Sequence, residues 1–460
     1  MESGNSAVKL RRVLKLSDLV IYGIILIQPV AALPLFGHAN QISNGHAAAT
    51  IALSMLAMLF TAISYGRMAN RFPAAGSAYT YVGKGLHEHL GFIAGWSMFM
   101  DYLLVPILCV IFTSIAAKHL VPAVPYVVWV AAFAVLFTAI NLRGIKVTAR
   151  ANWVLMLFMS VVVFYFMGAA VRFVFLQSGV GGLWTVRPFY DPRSFSWDAV
   201  WSGTALAALT YIGFDGLTTL SEEVENPRRN VLLAAVLTCL ITGLWSGSQV
   251  YLAQVAWPDW ESFTAGLTDQ AARNNALDTA IMAVANRVGG AFLDGLLSFT
   301  LILGSVGSGV TAQVGAARLL YGMGRDRVLP AQFFAYLSPR TASPTRNLWL
   351  IGLLALAGAT FLNYEECARL INFGAFLAFM GVNLASIREY FFRNPSRNWS
   401  SALKDFVPAA AGFLFCLVIW GSLPLKTFVL GGSWMLIGVV YLAFRTGGFR
   451  RKIEMTVFNE

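Results

Sequence analysis

Long apolar runs separated by short polar segments organise the chain. They fall at about 18–42, 47–70, 90–116, 124–142, 152–176, 198–221, 230–256, 290–320, 347–362, 368–390, 406–424 and 427–445, which predicts twelve membrane-spanning helices. Each run approaches or exceeds the ~20 residues needed to cross ~30 Å of hydrocarbon, except 347–362, which is short. The runs are continuously apolar and lack period-2 alternation, so a β-barrel wall is excluded. The most polar stretch, Trp257 to Val288, carries Asp259, Glu261, Asp269, Asp278 and the pair Asn274–Asn275, and reads as an external amphipathic helix with a loop.

Composition agrees with that pattern. Of 460 residues, 57% are hydrophobic and 12% charged, which excludes a soluble protein. The net charge of +11 could point to nucleic acid, but its distribution assigns it to topology. With the N-terminus inside, the inner segments hold 25 of the 33 lysines and arginines, starting with Lys9, Arg11, Arg12 and Lys15. Both termini are therefore expected in the cytoplasm, 1–17 and 446–460 being tails of a multi-pass protein of the cell inner (plasma) membrane. Cys109, Cys239, Cys367 and Cys416 are scattered singly and read as core thiols, and no residues at ligand spacing suggest a metal.

Two spans look broken. The first contains Gly23, then Gln28-Pro29-Val30-Ala31-Ala32-Leu33-Pro34, then Gly37; the sixth contains Tyr211-Ile212-Gly213-Phe214-Asp215-Gly216. Interrupted segments at matching places in two halves point to an inverted repeat with a binding site at the breaks. The division predicted is 18–176 for the first repeat, 177–390 for the second and 391–445 for two appended helices. Half-helix ends expose backbone N–H and C=O groups that can hold a carboxylate or an ammonium.

Two acidic residues lie well inside the hydrocarbon, Asp101 in the third span and Asp215 at the sixth-span break. A carboxylate there costs roughly 3 kcal/mol, so it is normally paired, protonated or functional. Asp215 reads as a cation or proton site, with a structural cap as the alternative; for Asp101 a hydrogen bond to a neighbouring helix is an equal alternative. Tyr22, Trp96, Tyr102, Tyr211 and Phe214 are the candidate aromatics, and an ammonium over an aromatic face gains ~1–2 kcal/mol once desolvated. The run Ser221-Glu222-Glu223-Val224-Glu225 at the inner end of span six suggests a gate in which Glu222 or Glu223 closes onto Arg67 or Arg71. Gly304-Ser305-Val306-Gly307-Ser308-Gly309-Val310-Thr311 offers a small-residue packing face, or hydroxyls for sodium together with first-span carbonyls.

At Phe60-Thr-Ala-Ile-Ser-Tyr-Gly-Arg67, Phe72-Pro73, Ala75-Gly-Ser-Ala-Tyr-Thr-Tyr81, Gly95-Trp96, Asp101-Tyr102, Gly213-Phe-Asp215, Thr218-Thr-Leu-Ser-Glu-Glu223, Arg318-Leu-Leu-Tyr321 and Met323-Gly-Arg-Asp326, the sequence resembles the amino acid/polyamine/organocation (APC) superfamily, and within it bacterial putrescine importers. That likeness implies an all-α leucine-transporter-type fold of five plus five inverted helices with two extra, working by alternating access. It also implies a role for Asp215 in protonation and gating, and for Tyr102, Glu222 and Glu223 in putrescine uptake. The chain departs from the group's pattern at Pro34, where the importers carry an acidic residue, and at Met159, where some proton-coupled relatives carry a lysine.

Together these features predict a secondary transporter, not an enzyme, that imports an amino acid or polyamine. Gln28, Val30, Ala31, Ala32, Trp96, Asp101, Tyr102, Tyr211, Gly213, Phe214 and Asp215 would bind substrate, and Asp215, Glu222 and Glu223 would serve proton coupling or gating. Protons are expected as the coupling ion in preference to sodium, and the partners are membrane lipids and a small amine, with no cofactor and no nucleic acid. An amine or amino acid exchanger and a non-pumping amine sensor are the alternatives.

Overall fold

The computed structural model describes residues 14–72, 77–143, 149–221, 224–325, 329–339, 341, 343–395 and 398–450. Seventeen α-helices follow one another among them: α1 (Leu16–Ile27), α2 (Phe36–Ile42), α3 (Ala47–Arg71), α4 (Ser77–Gly85), α5 (Glu88–Leu120), α6 (Tyr126–Leu142), α7 (Ala149–Leu183), α8 (Trp197–Ala207), α9 (Pro227–Ala256), α10 (Gln270–Asp278), α11 (Ala280–Arg325), α12 (Ala331–Phe334), α13 (Thr345–Phe361), α14 (Tyr364–Ile387), α15 (Trp399–Ser401), α16 (Val407–Gly421) and α17 (Leu425–Thr446). The described residues contain no strand, only a parallel bridge between Leu14 and Val224.

Eight helical segments are long and apolar enough to cross a membrane, and α1, α6 and α13 are shorter apolar helices. The helices cover the twelve apolar stretches with shifted ends. The third runs over Glu88–Leu120 and the eighth begins ten residues earlier than the hydropathy suggested, because α11 continues through a kink at Gly290. The expected amphipathic helix is α10, started by the Asp269 carboxylate, which accepts from the Ala272 N–H at 2.8 Å.

Exposure sorts the helices into an inner and an outer set. In α14, 83% of the apolar window is buried and in α5 72%, against 22% in α17, so α5 and α14 form the centre and α17 the rim. Exposed Leu157, Phe164, Leu436, Ile437 and Phe444 on α7 and α17 make faces suited to lipid. The centre packs α3 along α9, and α5 along α11 and α14. Glycines allow the α3–α9 approach: a Cβ at Gly66 of α3 would lie 2.6 Å from Leu232 Cα, and one at Gly243 of α9 would lie 2.5 Å from Met55 Cγ.

Buried hydroxyls need a partner and find it in their own helix: Ser54 donates to Thr50 O at 2.8 Å and Thr113 to Cys109 O at 2.6 Å. Carboxamides instead join helices. Asn141 donates to Val310 O at 3.0 Å, and Asn372 to Ala205 O at 2.7 Å, where α8 ends. The four cysteines are buried free thiols.

Candidate functional site

Both suspected breaks are present. α1 stops at Ile27, since Gln28 leaves helical dihedrals with φ 72° and Pro29 carries no N–H. The chain then advances by turns, with Ala31 N–H to Gln28 O, Leu33 N–H to Val30 O and Phe36 N–H to Leu33 O, before α2 begins. In the second break, α8 passes into a 3-10 turn at Ala208–Tyr211, Ile212 is extended, and Gly213 takes φ 115°, which strongly favours glycine. Phe214–Leu220 then forms another 3-10 segment.

Neighbouring helices hold the first break on two sides. The Pro29 carbonyl accepts from the Trp245 indole N–H at 2.8 Å and from the Gln249 amide at 3.0 Å, both on α9. The Gln28 amide donates to Gly304 O at 2.8 Å and to the Ser308 hydroxyl at 2.6 Å, both on α11. A Cβ at position 304 would lie 2.9 Å from Gln28 Oε1 and 3.2 Å from Met159 Sδ, so the glycine is what lets the break dock there. Val30 and Ala32 are buried and Ala31 is half-buried.

Asp215 is the second residue of the 3-10 segment, its carboxyl group facing backbone N–H groups of its own turn with the Ser77 hydroxyl beside it. Gly213 holds the cap position and no side-chain cap hydrogen bond forms, so this carboxyl group sits at the positively polarised start of the segment without being its cap. Asp215 is buried, as is Asp101 across from it on α5, and the two carboxyl groups are near enough to interact. Tyr65, Tyr81 and Tyr102 surround them. Among the described residues neither aspartate has an ion-pair partner, and Asp101 Oδ1, Thr210 Oγ1 and Thr238 Oγ1 accept or donate no hydrogen bond. Two buried acids without a basic partner among the described residues have the chemistry to accept a small cation.

The other expected residues are distributed differently. Tyr102 is 38% exposed, near both aspartates and Tyr22. Tyr211 is fully buried and donates to Ile51 O at 2.9 Å, so its phenol ties the second break to α3. Phe214 is fully buried against Tyr65 and Phe379, with ring centroids 5.5 and 5.3 Å away. Trp96 does not join the acid pair's aromatics. Its ring stacks on Trp434 of α17 at 4.9 Å, and each indole N–H donates to the other residue's carbonyl.

Glu222 and Glu223 lie outside the described residues. Arg67 and Arg71 have other partners: Arg67 meets Asp405 at 3.4 Å and Arg71 meets Glu389 at 2.8 Å. Tyr65, Tyr81 and Ser77 were legible only as pieces of family-like motifs, with nothing in their spacing to aim them at Asp215. His38 was hidden inside an apolar run, its one trace being the polar string His38-Ala-Asn-Gln41.

Residues 19–444 match the amino acid permease family model. The low-affinity putrescine importer PlaP of Escherichia coli strain K12 is 36% identical over 97% of this chain and 96% of its own length. The branched-chain amino acid permease BcaP of Lactococcus lactis is 26% identical over 87% of this chain and 86% of its own, and the methylthioribose transporter of Bacillus subtilis 27% over 95% and 94%. These relatives are permeases and transporters, in keeping with a multi-pass membrane protein and not an enzyme. Apolar helices, two interrupted helical segments and a match along nearly the whole length lead to one conclusion: the chain belongs to the amino acid permease family.

Proposed function

We propose that the protein imports a small amine across the plasma membrane, a polyamine such as putrescine before an amino acid, by alternating access. The observation that carries this reading is the buried pair Asp101 and Asp215, without basic partners among the described residues, beside two interrupted helices. Two facing acids suit a cation, and a diamine offers one ammonium to each. The name of the Escherichia coli relative supports that choice of cargo.

In this reading the chain crosses the membrane twelve times, in two inverted sets of five (18–176 and 177–390) followed by two more helices, with both termini in the cytoplasm. The breaks at Gln28–Leu35 and Ile212–Gly213 are the corresponding points of the two sets. Protons drive uptake in preference to sodium. In support, the α11 oxygens that could serve a cation beside the first break, Gly304 O and Ser308 Oγ, already accept from the Gln28 amide.

Uptake of labelled putrescine and of amino acids into proteoliposomes tests the proposal. Putrescine accumulation that collapses with a protonophore is the expected result. Accumulation that ignores pH and follows a sodium gradient would remove the proton claim, and absence of any concentrative amine uptake would remove the importer.

A further inference from the structure

The imidazole of His38 is buried at 2% exposure on α2, the short helix beyond the first break. Its Nε2 lies 2.8 Å from Asp278 Oδ1, at the end of α10, and its Nδ1 lies 3.2 Å from Glu365 Oε2, at the start of α14. One ring thus ties three separately positioned elements together. A neutral imidazole has a single N–H and would turn a lone pair toward one of the two carboxylates, whereas the protonated ring donates to both. Glu365 is also paired with Arg369 one turn along α14, and Tyr126 and Tyr364 lie near Asp278. Among the described residues, Asp278 and Glu365 are the charged groups within ion-pair distance of the ring.

We propose that His38 is a proton-binding site on the outer side of the protein, and that the bound proton latches α2 onto α10 and α14. The inference rests on the transport reading for the meaning of outer and for what the latch closes. Closure joins α2 to the external helix α10, so it seals the route from outside to the breaks. When α2 swings free, the ring meets water, where a histidine is neutral above about pH 6.5. Closing therefore takes up one proton from the outside, and the sign follows: acid favours the closed form, and rising pH favours release.

Nitroxide labels at Gln41→Cys on α2 and Asn275→Cys on α10 report the separation of the two helices in the full-length protein in nanodiscs; the native cysteines are buried. Between about pH 6.5 and the point where the latched ring deprotonates, the ratio of long to short distances should rise about ten-fold per pH unit, the slope for one proton. His38→Gln has no titratable ring and should lose that slope. Glu365→Gln keeps the ring, removes one carboxylate and should shift the transition to lower pH. A pH-independent distance in the wild type, or an unaltered slope in His38→Gln or an unshifted transition in Glu365→Gln, overturns the latch. The measurement needs no substrate, so a pH-dependent distance in a protein that accumulates no amine defeats the transport reading and spares the latch. Amine accumulation with a fixed distance does the reverse.

Discussion

The Gln28 carboxamide donates to the Ser308 hydroxyl at 2.6 Å, joining the first break to α11 across 280 positions of sequence. Gln28 is a non-glycine residue with φ 72°, a conformation that costs of order 1–3 kcal/mol and persists when its surroundings hold it. Its two side-chain hydrogen bonds supply that hold.

Gln28→Glu keeps the shape and removes both N–H donors, leaving an acceptor against Gly304 O. It should destabilise the protein by about 1–3 kcal/mol and abolish uptake. Gln28→Gly, which accepts φ 72° without strain, should retain more stability than Gln28→Ala while still transporting poorly. Thermal unfolding and uptake on the same preparations decide this; equal stability of the glycine and alanine variants would remove the strain argument.

Asp215→Asn should fold and reach the membrane yet fail to concentrate putrescine, because the amide oxygen can still face the same backbone N–H groups but the side chain offers no charge. Asp101→Asn should weaken amine binding by at least about ten-fold, the equivalent of ~1.4 kcal/mol. Binding and uptake measured side by side check both, and wild-type accumulation by Asp215→Asn would reduce that residue to a structural role.

Trp96→Ala should lower stability by about 3–5 kcal/mol, since it removes the stacked partner of Trp434 and two reciprocal hydrogen bonds. Any transporter that survives should keep its KM for amine. A raised KM with unchanged thermal stability would return Trp96 to the binding site.

Tyr211→Phe deletes the hydrogen bond to Ile51 O and little volume, so about 1 kcal/mol of stability should go, while substrate specificity stays. A competition series of amines and amino acids against the variant reads out the second point.

The apolar helices, the two breaks and helix α10 could all be read from the chain because each depends on local sequence: apolar length, Pro29, Gly213 and the Asp269 cap. Asp101 and Asp215 were visible for the same reason, as acids where lipid-compatible residues belong. What surrounds them was not. Trp96 and Tyr211 have the same composition as binding aromatics, and only packing against Trp434 and Ile51 assigns them their partners. Glu222 and Glu223, expected to close onto Arg67 or Arg71, lie outside the described residues; the pairs that Arg67 and Arg71 make with Asp405 and Glu389, more than 300 positions away, had no trace in the sequence. His38 makes contacts 240 positions away and further, beyond any periodicity.

The bridge between Leu14 and Val224, with the Glu225 N–H donating to Leu14 O at 2.9 Å, links the beginning of one interrupted segment to the end of the other. Mechanically it is a splice: a tilt of α1 away from the bundle either tears this backbone pairing or drags the segment after the second break along with it. The ends of the two interrupted segments are thereby yoked, so a reagent that binds the spliced backbone edge would restrain both at once.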